Sequence, residues 1–242
     1  MIKNFVKINR DISTWVLVQV KKLLGEIDNS ENIFIEEINS IDLLSSRVLE
    51  IGGSQRPLFN KSDILFYVGL DVDSKFDWAK YYHSYFNQSC TEPINNKFDF
   101  IFSKYLLEHV NDNEKSFQNI INSLKSSGKS IHIFPLGFHP YSLLTRVVGN
   151  SLQRKLIRLL RPHSQTVGGY PVYFNLCNSV FLERFFRKQT DVVYKIKYFY
   201  GAEDYFAFFF PFFLLTMVFN RVCYLLNLKI FASNAVLTII KK

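Results

Sequence analysis

Cysteine is scarce in this chain: Cys90, Cys177 and Cys223 stand far apart, odd in number and without a CxxC pair. That excludes a disulfide framework and a paired-cysteine zinc site, and a reducing, cytoplasmic interior is the expected compartment. Glycine-rich nicotinamide fingerprints are missing too, since neither GxGxxG nor TGxxxGxG occurs. No run reaches eighteen uncharged apolar residues, so no membrane-crossing helix is required. The opening MIKNFVKINRDISTW breaks every apolar run with a charge, unlike a secretory leader. Acid is absent over one long stretch: Lys115 to Leu182 holds no Asp or Glu but eight Lys and Arg.

What is present is a heavy apolar and cationic load. Of 242 residues 48% are hydrophobic, with 25 Phe and 13 Tyr, which excludes disorder and suffices for a sizeable core. The net charge of +8 calls for an anionic partner: an acidic substrate, an anionic membrane face or nucleic acid. No recognisable RNA-binding appendage accompanies that charge, so nucleic acid is the least expected of the three.

Hydrophobic periodicity divides the chain. Residues 1–46 read as a helical cover, with Asp11 as N-cap, Val16, Val20, Leu23 and Leu24 on one face, and Gly25 as the stop. Ile33, Ile35, Ile38 and Ile41 mark a second, shorter helix. Strands are predicted at 48–51, 65–71, 98–102, 130–134, 192–199 and 234–240, with a third strand in chain order near Tyr85-Phe86. Asn111-Asp112 caps a helix bearing Phe117, Ile120, Ile121 and Leu124, with Gly128 as its stop; Ser179–Lys188 is another helix. Strands alternating with helices in this order make a parallel sheet with crossovers.

The stretch RVLEIGGSQRPLFNKSDILFYVGLD, Arg47 to Asp71, organises the rest. A buried strand ends in Glu50, the pair Gly52-Gly53 turns the chain, and a second buried strand ends in Asp71. The two acids are 21 positions apart, about the spacing that brings neighbouring parallel strands to one cofactor crevice.

Four stretches together resemble the class I S-adenosylmethionine-dependent methyltransferases of the small-molecule and lipid branch: VLEIGG (48–53), YVGLD (67–71), FDFIFSKYLLEHV (98–110) and LKSSGKSIHIFP (124–135). The resemblance covers residues 45–136 and implies a Rossmann-like, doubly wound α/β sheet of about seven strands with an antiparallel last strand. It implies S-adenosyl-L-methionine as cofactor, with Glu50, Gly52, Gly53 and Ser54 at the methionine end. Asp71 would accept the ribose hydroxyls, with Val72 and Ser103 also lining the cofactor. Ser54 stands where the family has a third glycine, and Gln88 and Ser89 stand where it often has an acid for the adenine amino group. His109, within LEHV, His139 and His163 are candidates for the base or acceptor-orienting role, with Tyr170 and Tyr173 behind them. A hydrogen-bonded structural histidine is the competing reading for each.

Two segments exceed what such a sheet needs. Residues 136–175 form a basic insertion, in which 150–161 reads as a basic amphipathic helix. Residues 203–230 contain YFAFFFPFFLLTMVF, seven Phe without a charge. At roughly 1.5–3 kcal/mol per large apolar side chain left in water, something must cover it. Pro211 in its middle and Arg221 beyond make it too broken to cross a bilayer. An anionic membrane interface, a homodimer contact and the protein's own core are the three candidate covers.

The expectation is therefore one methyltransferase-like domain over 1–242. It would act on a small molecule, lipid or lipid-linked glycan, peripheral at the inner membrane face. A non-catalytic scaffold of the same fold and an RNA methyltransferase are the alternatives.

Overall fold

In the computed structural model, which describes residues 2–146 and 171–242, short β-branched and aromatic runs become buried strands, as expected for a sheet covered on both faces. The strands are β1 (Arg47–Ile51), β2 (Phe66–Asp71), β3 (Ser84–Asn87), β4 (Phe98–Lys104), β5 (Leu124–Pro135), β6 (Val192–Phe199) and β7 (Asn234–Lys241). Their order across the sheet is β3-β2-β1-β4-β5-β7-β6. The first five pair in parallel; the last strands are antiparallel, as the bond from Lys242 N to Asp191 O (3.0 Å) reflects. The Rossmann-like seven-stranded sheet expected from the sequence is the sheet that forms.

The helices are α1 (Ile2–Leu24), α2 (Ser30–Asn39), α3 (Asn113–Ser123), α4 (140–146 within the described residues), α5 (Ser179–Phe186) and α6 (Phe210–Leu225). The fold divides into two compact units. One contains the sheet with α2, α3 and α5 (Ser30–Pro135, Tyr173–Lys197, Ala235–Lys242); its core includes Leu49, Val68, Phe100, Phe102, Ile120 and Leu237, all fully buried. The other comprises Met1–Asn29, Leu136–Val172 and Tyr198–Asn234. Its core gathers Phe206, Ala207, Phe213 and Met217, with Val16, Leu17 and Val20 of α1 packed against them.

Several expectations change in detail. Helix α1 starts at Ile2, nine residues before Asp11, because Val6 and Asn9 extend the buried face toward the N-terminus. Asp11 is therefore an exposed mid-helix residue. Asp112 does cap α3, its carboxylate accepting from Lys115 N at 3.1 Å. That helix ends at Ser123, and Leu124 and Gly128 belong to β5; Ser127, at φ 61°, makes the irregular turn of the chain there. Pro211 does not interrupt the Phe-rich segment but opens α6 within its first turn, where the missing N–H has no intrahelical partner to lose. The predicted basic helix at 150–161, with His163 and Tyr170, lies outside the described residues.

Candidate functional site

Strand order reverses between β1 and β4: the chain builds outward to β2 and β3 on one side, then to β4 and β5 on the other. Such a switch point opens a crevice beyond the carboxyl ends of the two central strands. Ile51, at the end of β1, sits in register with Leu70 of β2 and Ser103 of β4, so the expected cofactor residues converge there.

Glu50 is buried to 4% exposure, and its carboxylate is enclosed by donors. Tyr67 donates its hydroxyl to Glu50 Oε2, Tyr82 donates to the same oxygen at 3.2 Å, and Leu58 N donates to Oε1 at 3.2 Å. Burial pushes the Glu50 pKa up to about 7 despite these donors. Burial, and then the adjacent Glu50 charge, also raise the Tyr67 and Tyr82 hydroxyls above the normal tyrosine range. The two tyrosines were not singled out from sequence; their signal would have been a buried acid that needs donors.

Between Glu50 and Leu58 the chain makes a tight turn that excludes side chains. Gly52 has φ +87°, and a Cβ there would lie 2.8 Å from Leu106 Cδ1. A Cβ on Gly53 would meet the Glu50 carboxyl group and the Tyr82 hydroxyl, the latter at 2.5 Å. Ser54, in the place of a third glycine, takes the left-handed conformation (φ 49°) that glycine favours. The turn thus keeps its shape, at a strain cost, without that glycine.

Asp71 ends β2 with Oδ1 accepting from Asp73 N at 3.1 Å, and partial burial raises its pKa. Asn87 of β3 donates to Asp71 O (3.2 Å) and Val72 O (3.0 Å), fixing this corner, while the Val72 side chain is exposed. Ser103 is placed differently: it is fully buried, and its Oγ lies 2.8 Å from His132 Nδ1 on β5. His132 is held neutral by complete burial, its pKa lowered to about 3. The Ser103 side chain therefore belongs to the strand interior, one register step from the glycine turn.

After β4 the chain passes Tyr105, with φ 53°, and enters a single 3-10 turn, Leu107–His109. Glu108 is 5% exposed, its Oε2 has no hydrogen-bond partner, and burial raises its pKa to about 8. His109 Nε2 lies 3.7 Å from Glu108 Oε1. The backbone of Glu108 is held by Tyr173 N (2.8 Å) and Phe174 N (3.1 Å), which brings Tyr173 to this end of the unit. His139 belongs to the other unit, where it is fully buried; its Nε2 is 2.9 Å from Asn220 Oδ1 and its Nδ1 accepts from Tyr141 N at 3.2 Å.

Residues 51–132, a third of the chain bracketing this crevice, match the family model described as a methyltransferase domain. Over those residues the chain is similar to a methyltransferase domain. A putative sarcosine dimethylglycine methyltransferase from Galdieria sulphuraria shares its fold at a TM-score of 0.50 and 15% identity, covering 88% of this chain and 85% of that one. A Haemonchus contortus phosphoethanolamine N-methyltransferase 2, in complex with phosphomonomethylethanolamine and S-adenosylhomocysteine, aligns at a TM-score of 0.49 and 15% identity, over 100% of this chain. This chain spans 60% of that enzyme's length. An Archaeoglobus fulgidus SAM-dependent methyltransferase aligns at a TM-score of 0.45 and 16% identity, over 94% of this chain and 100% of that one. Among curated proteins no sequence matches. At the glycine turn the backbone comes within van der Waals reach of Leu106, Glu50 and Tyr82, so that only glycine fits at 52 and 53.

Proposed function

We propose that the chain moves the methyl group of S-adenosylmethionine onto a small-molecule, lipid or lipid-linked glycan acceptor, at an anionic membrane surface. The observation that carries the reading is the side-chain-free turn at Gly52-Gly53 between two acids, Glu50 and Asp71, at the sheet's switch point. Asp71, at the end of β2, would accept the two ribose hydroxyls. The amides of the 52–54 turn and the Glu50 carboxylate would hold the amino-acid end, which carries the ammonium group. When bound, the cofactor supplies a methyl group already activated on a sulfonium, so positioning can account for most of the rate. The chain's own residues would have to align the acceptor with that methyl group and receive any proton it loses. Any proton on the acceptor must then go to a base.

His109 is assigned that base, because its ring is partly open and lies 3.7 Å from the Glu108 carboxylate, which can stabilise an imidazolium once ionised. Both ring nitrogens of His139 already have protein partners, which suits a structural role.

Calorimetry with S-adenosylhomocysteine on the wild type and Asp71→Ala tests the reading. The wild type is expected to bind, and the variant to bind at least tenfold more weakly. A wild type that does not bind removes the enzyme reading and leaves a non-catalytic relative; equal binding by the variant removes the ribose assignment.

A further inference from the structure

Charge is divided unequally between the two units. The segments Met1–Asn29, Leu136–Val172 and Tyr198–Asn234 hold twelve Lys and Arg against five Asp and Glu, a net +7 of the chain's +8. The unit with the glycine turn, seventeen against sixteen, is nearly neutral.

That same cationic unit contains a helix that is inside out. The buried face of α6 carries Thr216 and Asn220 along with Phe213, Met217 and Cys223. Its outward face carries Leu214, Leu215, Val218, Val222 and Leu225, all exposed, Leu215 at 68% and Leu225 at 69%. A helix that meets water has the opposite arrangement. Inside, Asn220 bonds to Glu203 (2.6 Å) and His139 (2.9 Å), so the polar side is fixed inward and the helix cannot turn over to hide its leucines.

Helix α1 adds to this surface. Phe5, Ile8, Ile12 and Trp15 recur at helical spacing and are all exposed, Trp15 at 65%. The two helices run parallel: Phe5 stacks on Phe209, Asn9 accepts from Phe210 N at 2.8 Å, and Arg221 reaches the Leu24 and Gly25 carbonyls. At 100° per residue, the exposed strip lies about a quarter-turn before the contact direction on α1 and a quarter-turn after it on α6. For parallel helices, this puts both strips on one side of the seam. Lys22 and Lys7, with the acid Asp11, border the strip on the next sector of α1, while Arg10 and Lys21 lie on the far side of the helix. An apolar strip bordered by Lys, with Trp and Phe within it, is the pattern of a helix lying in a bilayer interface.

We infer that α1 and α6 form a monotopic docking face for an anionic lipid bilayer, into which their exposed strips insert while the flanking cations meet headgroup phosphates. This deepens, and rests on, the reading of an enzyme working at a membrane surface. A bilayer is favoured over a second copy of the chain because an isologous contact would bring two +7 units together, whereas an anionic surface complements them. Among the described residues no helix is long and apolar enough to cross a membrane, so the docking is to one leaflet.

The test uses the full chain with vesicles of phosphatidylcholine alone or with 30% phosphatidylglycerol. Wild type should float with the anionic vesicles, with a partition coefficient at least tenfold above that for neutral ones. Leu215→Gln/Val218→Gln and, separately, Ile8→Gln/Ile12→Gln should each lower it tenfold or more. In a Trp78→Phe background, Trp15 emission should shift to the blue and be quenched by lipids brominated on their acyl chains. Wild type that stays with the buffer, or Trp15 emission that vesicles leave unchanged, overturns the inference. So does a dimer in sedimentation that the same substitutions dissociate. S-adenosylhomocysteine binding is measured on every variant: retained binding without flotation sinks the docking face alone, and absent binding in the wild type sinks the enzyme reading.

Discussion

Glu108→Gln should make the protein more stable, and only at high pH. Glu108 is almost fully buried, one carboxylate oxygen has no partner, and its pKa rises from 4.5 to about 8. The folded state therefore holds this proton more tightly than the unfolded chain does. Stability falls as pH rises through the window from about 4.5 to about 8, and is level on either side. A rise from 4.5 to about 8 sets a ceiling of ~5 kcal/mol; water entering the site on ionisation reduces it, leaving roughly 2–5 kcal/mol. Glutamine keeps the shape and never ionises, so this part of the pH dependence disappears. At pH 5 variant and wild type should melt within a few degrees of each other. At pH 9 the variant should melt higher by about 5–15 °C, at ~2–4 °C per kcal/mol for a chain of this size. Thermal melts at five pH values, followed by circular dichroism, check this. A wild type–variant difference that does not grow with pH refutes the reasoning. It would mean that protonated His109, 3.7 Å away, already pairs with an ionised Glu108.

Two further substitutions probe the glycine turn. Tyr67→Phe removes a hydroxyl donated to buried Glu50, and should cost about 1–3 kcal/mol in urea denaturation above pH 8, where the carboxylate is ionised, and far less at pH 5. An equal cost at both values would show that the ring, not the donated bond, matters. Gly53→Ala places a methyl group against the Glu50 carboxyl and Tyr82, so it should lose ~1–3 kcal/mol of stability and most S-adenosylhomocysteine binding by calorimetry; unchanged binding would remove this turn from the cofactor site.

The sheet was legible because β1, β2, β4 and β7 are short, largely apolar runs, a pattern that the local sequence carries by itself. β6 matches its predicted bounds, and β7 runs one residue further. The helix ends were less legible, since Asp11 and Gly128 are locally good punctuation that tertiary packing overrides: α1 has a buried face upstream of Asp11, and pairing of β5 with β4 claims Leu124 and Lys129. That Glu50 and Asp71 end neighbouring strands could be read from spacing. Tyr67 and Tyr82 could not, because nothing in their own sequence distinguishes a core aromatic from one whose hydroxyl meets a carboxylate. Ser103 shows the limit of carrying a role by alignment: the residue lies at the right register, but its hydroxyl is directed to His132.

What separates site from scaffold here is where local choices work against folding. In β1, Val48, Leu49 and Ile51 suit a doubly covered strand, and Glu50 among them does not: a leucine there would bury without a pKa shift and would need no tyrosine donors. The same conflict recurs at Glu108, and in another form on α6, where leucines are outside and an asparagine is inside. Each departure opposes stability or solubility with no gain within the chain, and so calls for a compensating partner elsewhere. For Glu50 the compensation has a sign. A bound cation favours the ionised carboxylate, so cofactor binding should release the proton that Glu50 holds near neutrality and strengthen as pH rises through about 7. For α6 the compensation is apolar, as docking on the proposed lipid surface requires.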